Sequence, residues 1–127
     1  MLKFPKICTT AAFAAVLSVA GLAAQAQSFM TEEELLATIP GSMINGKTDK
    51  GVPWAQSYSK YKGGKKSGVI KGVMNDTKFD SKWYVENDQW CENWGDGSAC
   101  WQVERVDDKS LRMYVNGKAR PNLWILK

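Results

Sequence analysis

The sequence predicts an all-β domain, a small antiparallel up-and-down barrel or curled meander of about eight strands, with a short N-terminal helix after a cleaved signal peptide. Three observations lead there. Beyond Gly41 no segment has a convincing 3.6-residue period. Over the same region turn signals arrive roughly every eight to twelve residues, at Asn45-Gly46, Gly63-Gly64, Asn75-Asp76, Asn87-Asp88, Gly95-Asp96, Asp107-Asp108 and Asn116-Gly117, as expected of short antiparallel strands. The stretch from Trp83 to Gln102, which holds four of the six tryptophans, also pairs onto itself in a single register.

In chain order, Lys3 and Lys6 precede an apolar, alanine-rich run from Ala11 to Ala24, and Ala24-Gln25-Ala26 is a small-x-small cleavage pattern. This is the layout of a secretory signal peptide over residues 1–26, and the run is shorter than the roughly 20 apolar residues a membrane span needs. Residues 27–127 then form one small β-barrel domain, monomeric and periplasmic or secreted. Cys8 leaves with the leader, and Cys91 and Cys100 remain in a compartment where thiols oxidise. The 17 basic and 13 acidic residues become 15 and 13 without Lys3 and Lys6, a net charge of +2, too mild to indicate nucleic acid.

Thr31-Glu32-Glu33-Glu34 before Leu35 and Leu36 is a capping box with acids at the positive end of the helix dipole. Pro40-Gly41 stops this helix after two turns at most, and Leu35, Leu36 and Ile39 suit it to plugging one end of a sheet. Strands are expected near 41–44, 53–61, 66–74, 80–86, 89–94, 99–106, 110–115 and 121–126. Closure into a barrel removes the exposed edges that an open sheet would carry, and a sandwich is the competing arrangement.

Gly95-Asp96 fixes the central register, because Gly supplies the positive φ of a tight hairpin turn. With Trp94 opposite Gly97, Cys91 falls opposite Cys100 and Trp90 opposite Trp101. The cysteines then occupy a non-hydrogen-bonded pair, where Cα atoms approach to about 4.5 Å, within disulfide reach. A second turn at Asn87-Asp88 sets Val85 opposite Trp90. Trp83, Val85, Trp90, Glu92, Trp94, Ala99, Trp101 and Val103 thereby share the inner face, and the opposite face is polar apart from the disulfide.

At TEEELLATIPG, at the tyrosine strand and glycine turn from Tyr58 to Gly64, at Trp83-Tyr84-Val85, and at Cys91, Trp94 and Cys100, the sequence resembles a family of small secreted alphaproteobacterial proteins catalogued as a domain of unknown function. The likeness covers nearly all of residues 27–127, and departs from the family at Arg120-Pro121-Asn122-Leu123. It implies a lipocalin-like small barrel in the periplasm and no catalytic residues. A role in virulence or symbiosis follows by association only.

The absence of histidine removes the usual general base and the commonest metal ligand. Oxidised cysteines remove thiolate chemistry and a zinc site, so no metal and no cofactor are expected, and the protein reads as a non-enzyme. Two surfaces are candidates for binding. The first is a tryptophan-lined pocket of Trp83, Trp90, Glu92, Trp94 and Trp101, with Trp54 and Trp124 at its rim, for an apolar or carbohydrate-like ligand; indoles around Glu92 would raise its pKa. The second is a lysine-rich hairpin from Tyr58 to Gly72, in which Lys60, Lys62, Lys65 and Lys66 would dock an anionic envelope or protein partner, as in an inhibitor or virulence-associated factor. Core packing of the indoles and a merely solvated lysine edge are the structural readings that compete with these.

Overall fold

The computed structural model describes residues 28–127, and the expected leader, with its cleavage site at Ala26, lies outside the described residues. One helix, α1 (Glu32–Thr38), precedes β1 (Met43–Lys47), β2 (Pro53–Tyr58), β3 (Ser67–Met74), β4 (Thr77–Glu86), β5 (Gln89–Asn93), β6 (Ser98–Asp107), β7 (Ser110–Val115), β8 (Lys118–Ala119) and β9 (Trp124–Leu126). Consecutive strands from β1 to β7 pair antiparallel. β9 bridges β7 and β1 and closes the sheet. The result is an eight-stranded antiparallel barrel, with β8 a two-residue addition to the end of β7. Closure excludes the sandwich.

The turns behave as their residues demand. Asn75 and Asp76 adopt φ 49° and 60°, Asn87 and Asp88 adopt 52° and 56°, and Asn116 and Gly117 adopt 50° and 76°, the doubly positive pattern that twists with the flanking strands. At Gly95-Asp96 the turn closes with Trp94 N–H donating to the Gly97 carbonyl at 3.1 Å. Cys91 pairs with Cys100, Trp90 with Trp101 and Val85 with Trp90, the registers expected from the sequence. The disulfide is formed on the outer face, with Cα atoms 4.1 Å apart.

Two expectations need correction. Asn45-Gly46 is not a turn: β1 runs through it to Lys47, and the chain reverses over Thr48–Gly51, where Gly51 N–H donates to the Thr48 carbonyl at 2.8 Å. Gly46 is there for space, because a Cβ on it would lie 2.2 Å from the ring of Trp54, its cross-strand partner. The last strand is not continuous over 121–126. Pro121 has no N–H to give the ladder, so β8 and β9 are separate pieces, and Asn122 Nδ2 between them donates to the Thr48 carbonyl at 2.9 Å.

In an up-and-down barrel the connections alternate between ends. One end is closed by α1, whose N-cap Thr31 and N3 residue Glu34 form the complete capping box. Leu35 and Ile39 are fully buried against the barrel core of Ile44, Ile70, Val103 and Leu111. Three hydrogen bonds hold this end in place: Glu32 N–H to Asp88 Oδ1 at 2.7 Å, Arg105 Nη2 to Thr38 Oγ1 at 2.9 Å, and Met30 N–H to the Val103 carbonyl at 2.7 Å. The other end is open.

Candidate functional site

A cavity of about 1040 Å³ opens between the turn after β1, the turn after β3, the β5–β6 hairpin and the break between β8 and β9. Strand alternation builds its walls. β2 turns Trp54 and Gln56 inward and leaves Ala55 and Ser57 outside, and β4 does the same with Phe79, as do β5 with Glu92, β6 with Trp101 and β9 with Trp124. Trp54 meets Trp124 edge to face at 5.2 Å and 81°, and Trp101 meets Trp124 at 5.6 Å and 65°. Trp94 and Phe79 make a second aromatic pair at 5.2 Å near the rim, where Trp94 is 42% exposed. The mouth carries Lys47, Lys50, Asp49 and Arg120, the last two joined as an ion pair.

Glu92 lines this cavity at only 1% exposure. Neither of its carboxyl oxygens accepts a hydrogen bond, and it pairs with no lysine. Burial pushes the carboxyl up to about 8, offset only in part by the neighbouring Trp90 indole N–H. Across the interior Tyr58 donates its hydroxyl to Gln56 Oε1, and burial, followed by the charge of Glu92, holds its ionisation well above the usual phenol range.

The pocket residues named from the sequence therefore divide by depth. Glu92, Trp94 and Trp101 line the cavity, and so do Trp54 and Trp124, as wall and not merely rim. Trp83 lies directly cross-strand from Glu92, and Trp90 follows deeper along the same strand as Glu92; stacked on one another at 5.1 Å and 19°, both are fully buried outside the lining. Gln56, Phe79 and Met113 belong to the wall and were missed. The inward alternation of Trp54, Gln56 and Tyr58 along β2 was the signal that could have found Gln56.

The lysines also divide. Lys47 and Lys50 stand at the mouth, whereas Lys60, Lys62, Lys65 and Lys66 occupy the β2–β3 connection at the closed end. Lys66 Nζ binds Glu32 of α1 at 2.9 Å, which raises its pKa. Lys60, Lys62 and Lys65 are exposed and enter neither of the two ion pairs among the described residues.

Among the described residues no three acidic, cysteine or histidine groups are placed to hold a metal ion, and no helix is long and apolar enough to cross a membrane. What the arrangement offers is an aromatic-walled chamber with a buried, unpartnered carboxyl, Glu92, in its lining. No protein-family model, no curated protein and no solved structure matches the chain.

Proposed function

We propose that the protein is a non-enzymatic periplasmic or secreted binding module, which holds a small, largely apolar ligand in the aromatic chamber at the open end of the barrel. The observation that carries this reading is the cavity itself. At about 1040 Å³ it has the size of a small-molecule site, and its walls combine aromatic surface with few polar groups, the usual make-up of such a site. An eight-stranded barrel can be filled entirely by its own side chains, and this one is filled at one end only. Carbohydrate-like ligands remain within the proposal through stacking on indoles.

The test is intrinsic tryptophan fluorescence of the oxidised protein against lipids, haem-like molecules and glycans, with acrylamide quenching alongside. Trp54, Trp94 and Trp101 are the reporters, and a saturable change that protects them from acrylamide is the expected result. Quenching unaltered by every member of the panel would overturn the reading.

A second reading is docking of an anionic envelope or protein partner through Lys60, Lys62 and Lys65. It is supported by their exposure and lack of ion-pair partners at the end remote from the cavity. Charge reversal at these three positions would abolish capture of such a partner and leave ligand-dependent fluorescence intact.

A further inference from the structure

We infer that the chamber selects an organic ammonium, a primary or secondary amine in its protonated form on an apolar or aromatic body, which donates its N–H groups to the two unpartnered oxygens of Glu92. The inference rests on the binding-module reading and deepens it.

Glu92 is costly where it stands. A buried carboxyl without hydrogen bonds forfeits its hydration in either protonation state, and a leucine at the same position would incur no such cost. Glu92 lines a cavity that a ligand can enter, and both of its oxygens are closed to solvent within that lining. An ionised carboxylate is purely an acceptor, so what satisfies it is a donor, and a positive one for preference. The walls agree. Trp101, Trp124 and Trp54 meet at steep angles, so rings of differing tilt surround the chamber, and indole faces attract cations.

Other ligand chemistries fit less well. An anionic head would meet Glu92 itself. A sugar brings many hydroxyls, yet among the described residues the buried polar side chains of the lining are Glu92 and Gln56, and the Gln56 oxygen already accepts from Tyr58. A bare inorganic cation would gain nothing from the apolar walls. The mouth, with Lys47, Lys50 and the Arg120–Asp49 pair, does not attract cations, so affinity must come from the interior.

The charged and titratable groups that face Glu92 are few. From β2 there is Tyr58; its cross-strand neighbours Trp83 on β4 and Ala99 on β6 are uncharged, and α1 contributes Leu35 and Ile39 to the interior. The remaining inward groups, on β1, β3, β7 and β9, are apolar, and the four charges at the mouth complete the set. Near neutral pH the empty chamber therefore holds Glu92 protonated, because burial raises it to about 8. Binding an ammonium requires the ionised form. The carboxyl O–H bond breaks, the proton leaves to solvent, and the ammonium keeps its own.

The test is isothermal titration of the oxidised full chain with 2-phenylethylamine and dodecylamine, each against its neutral alcohol, 2-phenylethanol and dodecanol, between about pH 6 and pH 9. Expected is amine affinity rising roughly tenfold per pH unit and levelling near the Glu92 pKa, with about one proton released per ligand. Alcohol affinity should stay flat. Glu92→Gln should weaken the amines by about 30-fold or more and leave the alcohols unchanged; if that variant fails to fold, the wild-type pH profile and proton count decide alone. Alcohols that bind as well as amines, without pH dependence, would overturn the ammonium and leave the binding module standing. Failure of all four compounds would overturn the ammonium, and the fluorescence panel then decides the binding module separately.

Discussion

At the end of the barrel closed by α1, Leu35 and Ile39 are fully buried, the helix N-terminus is capped, and Glu32, Thr38 and Met30 are each hydrogen-bonded to the barrel. At the other end Trp94 is 42% exposed, Glu92 is buried without a partner, and the interior is open to solvent. The same strands run through both ends, so the difference lies in which inward residues each level carries. It teaches that the closed end supplies the stability that lets the open end hold an unfavourable group, and substitutions at the two ends should have opposite signs.

The largest effect is expected in the packed interior that borders the chamber. Trp83→Ala removes a fully buried indole stacked on Trp90 and should cost about 4 kcal/mol in urea unfolding. A cost below about 1 kcal/mol would break the comparison. Next is a gain at the open half. The folded Glu92 carboxyl, at about 8, lies above its unfolded value, so between roughly pH 4.5 and 8 the folded state keeps a proton that the unfolded state has lost. Wild-type stability therefore falls as pH rises through that window. Glu92→Gln should remove this slope and be more stable by about 3 kcal/mol at pH 7, with no advantage below about pH 4. Parallel pH profiles for the two proteins would show that Glu92 is not held protonated.

Smaller effects sharpen the contrast. Thr31→Ala deletes the side-chain acceptor for Glu34 N–H and half of the capping box, for an expected loss of about 1 kcal/mol in thermal or urea unfolding. Trp94→Ala, at the rim, should change stability by less than about 0.5 kcal/mol, as surface substitutions do, while altering acrylamide quenching and ligand response. A destabilisation as large as that of Trp83→Ala would mean that the rim is part of the core after all.

Much of this was legible before the structure. Turn residues fix parity, and parity fixes faces, so Gly95-Asp96 and Asn87-Asp88 sufficed to pair Cys91 with Cys100 and to turn Glu92 inward. Depth was not legible. Alternation says that Trp83, Trp90 and Trp101 share a face, but how far each indole stands from the mouth depends on strand tilt and on what packs across the interior, neither of which is local. The lysines of residues 47–71 form one cluster in sequence and two in space, because a hairpin in an up-and-down barrel sends its successive loops to opposite ends. Asn45-Gly46 misled because composition cannot distinguish a glycine needed for positive φ from one needed for room.

That second use of glycine recurs. Gly46, Gly68 and Gly72 each face the ring of the residue directly across the ladder, Trp54, Trp83 and Phe79, at distances where a methyl group would collide. Each ring is thus recessed into the wall, over a position with no side chain of its own. Where the ring lines the chamber, as Trp54 over Gly46 and Phe79 over Gly72 do, the capacity of the chamber is in that sense encoded by what is missing from β1 and β3. A methyl group added at Gly46 or Gly72 would push its ring toward the interior and narrow the chamber, from a position outside the lining.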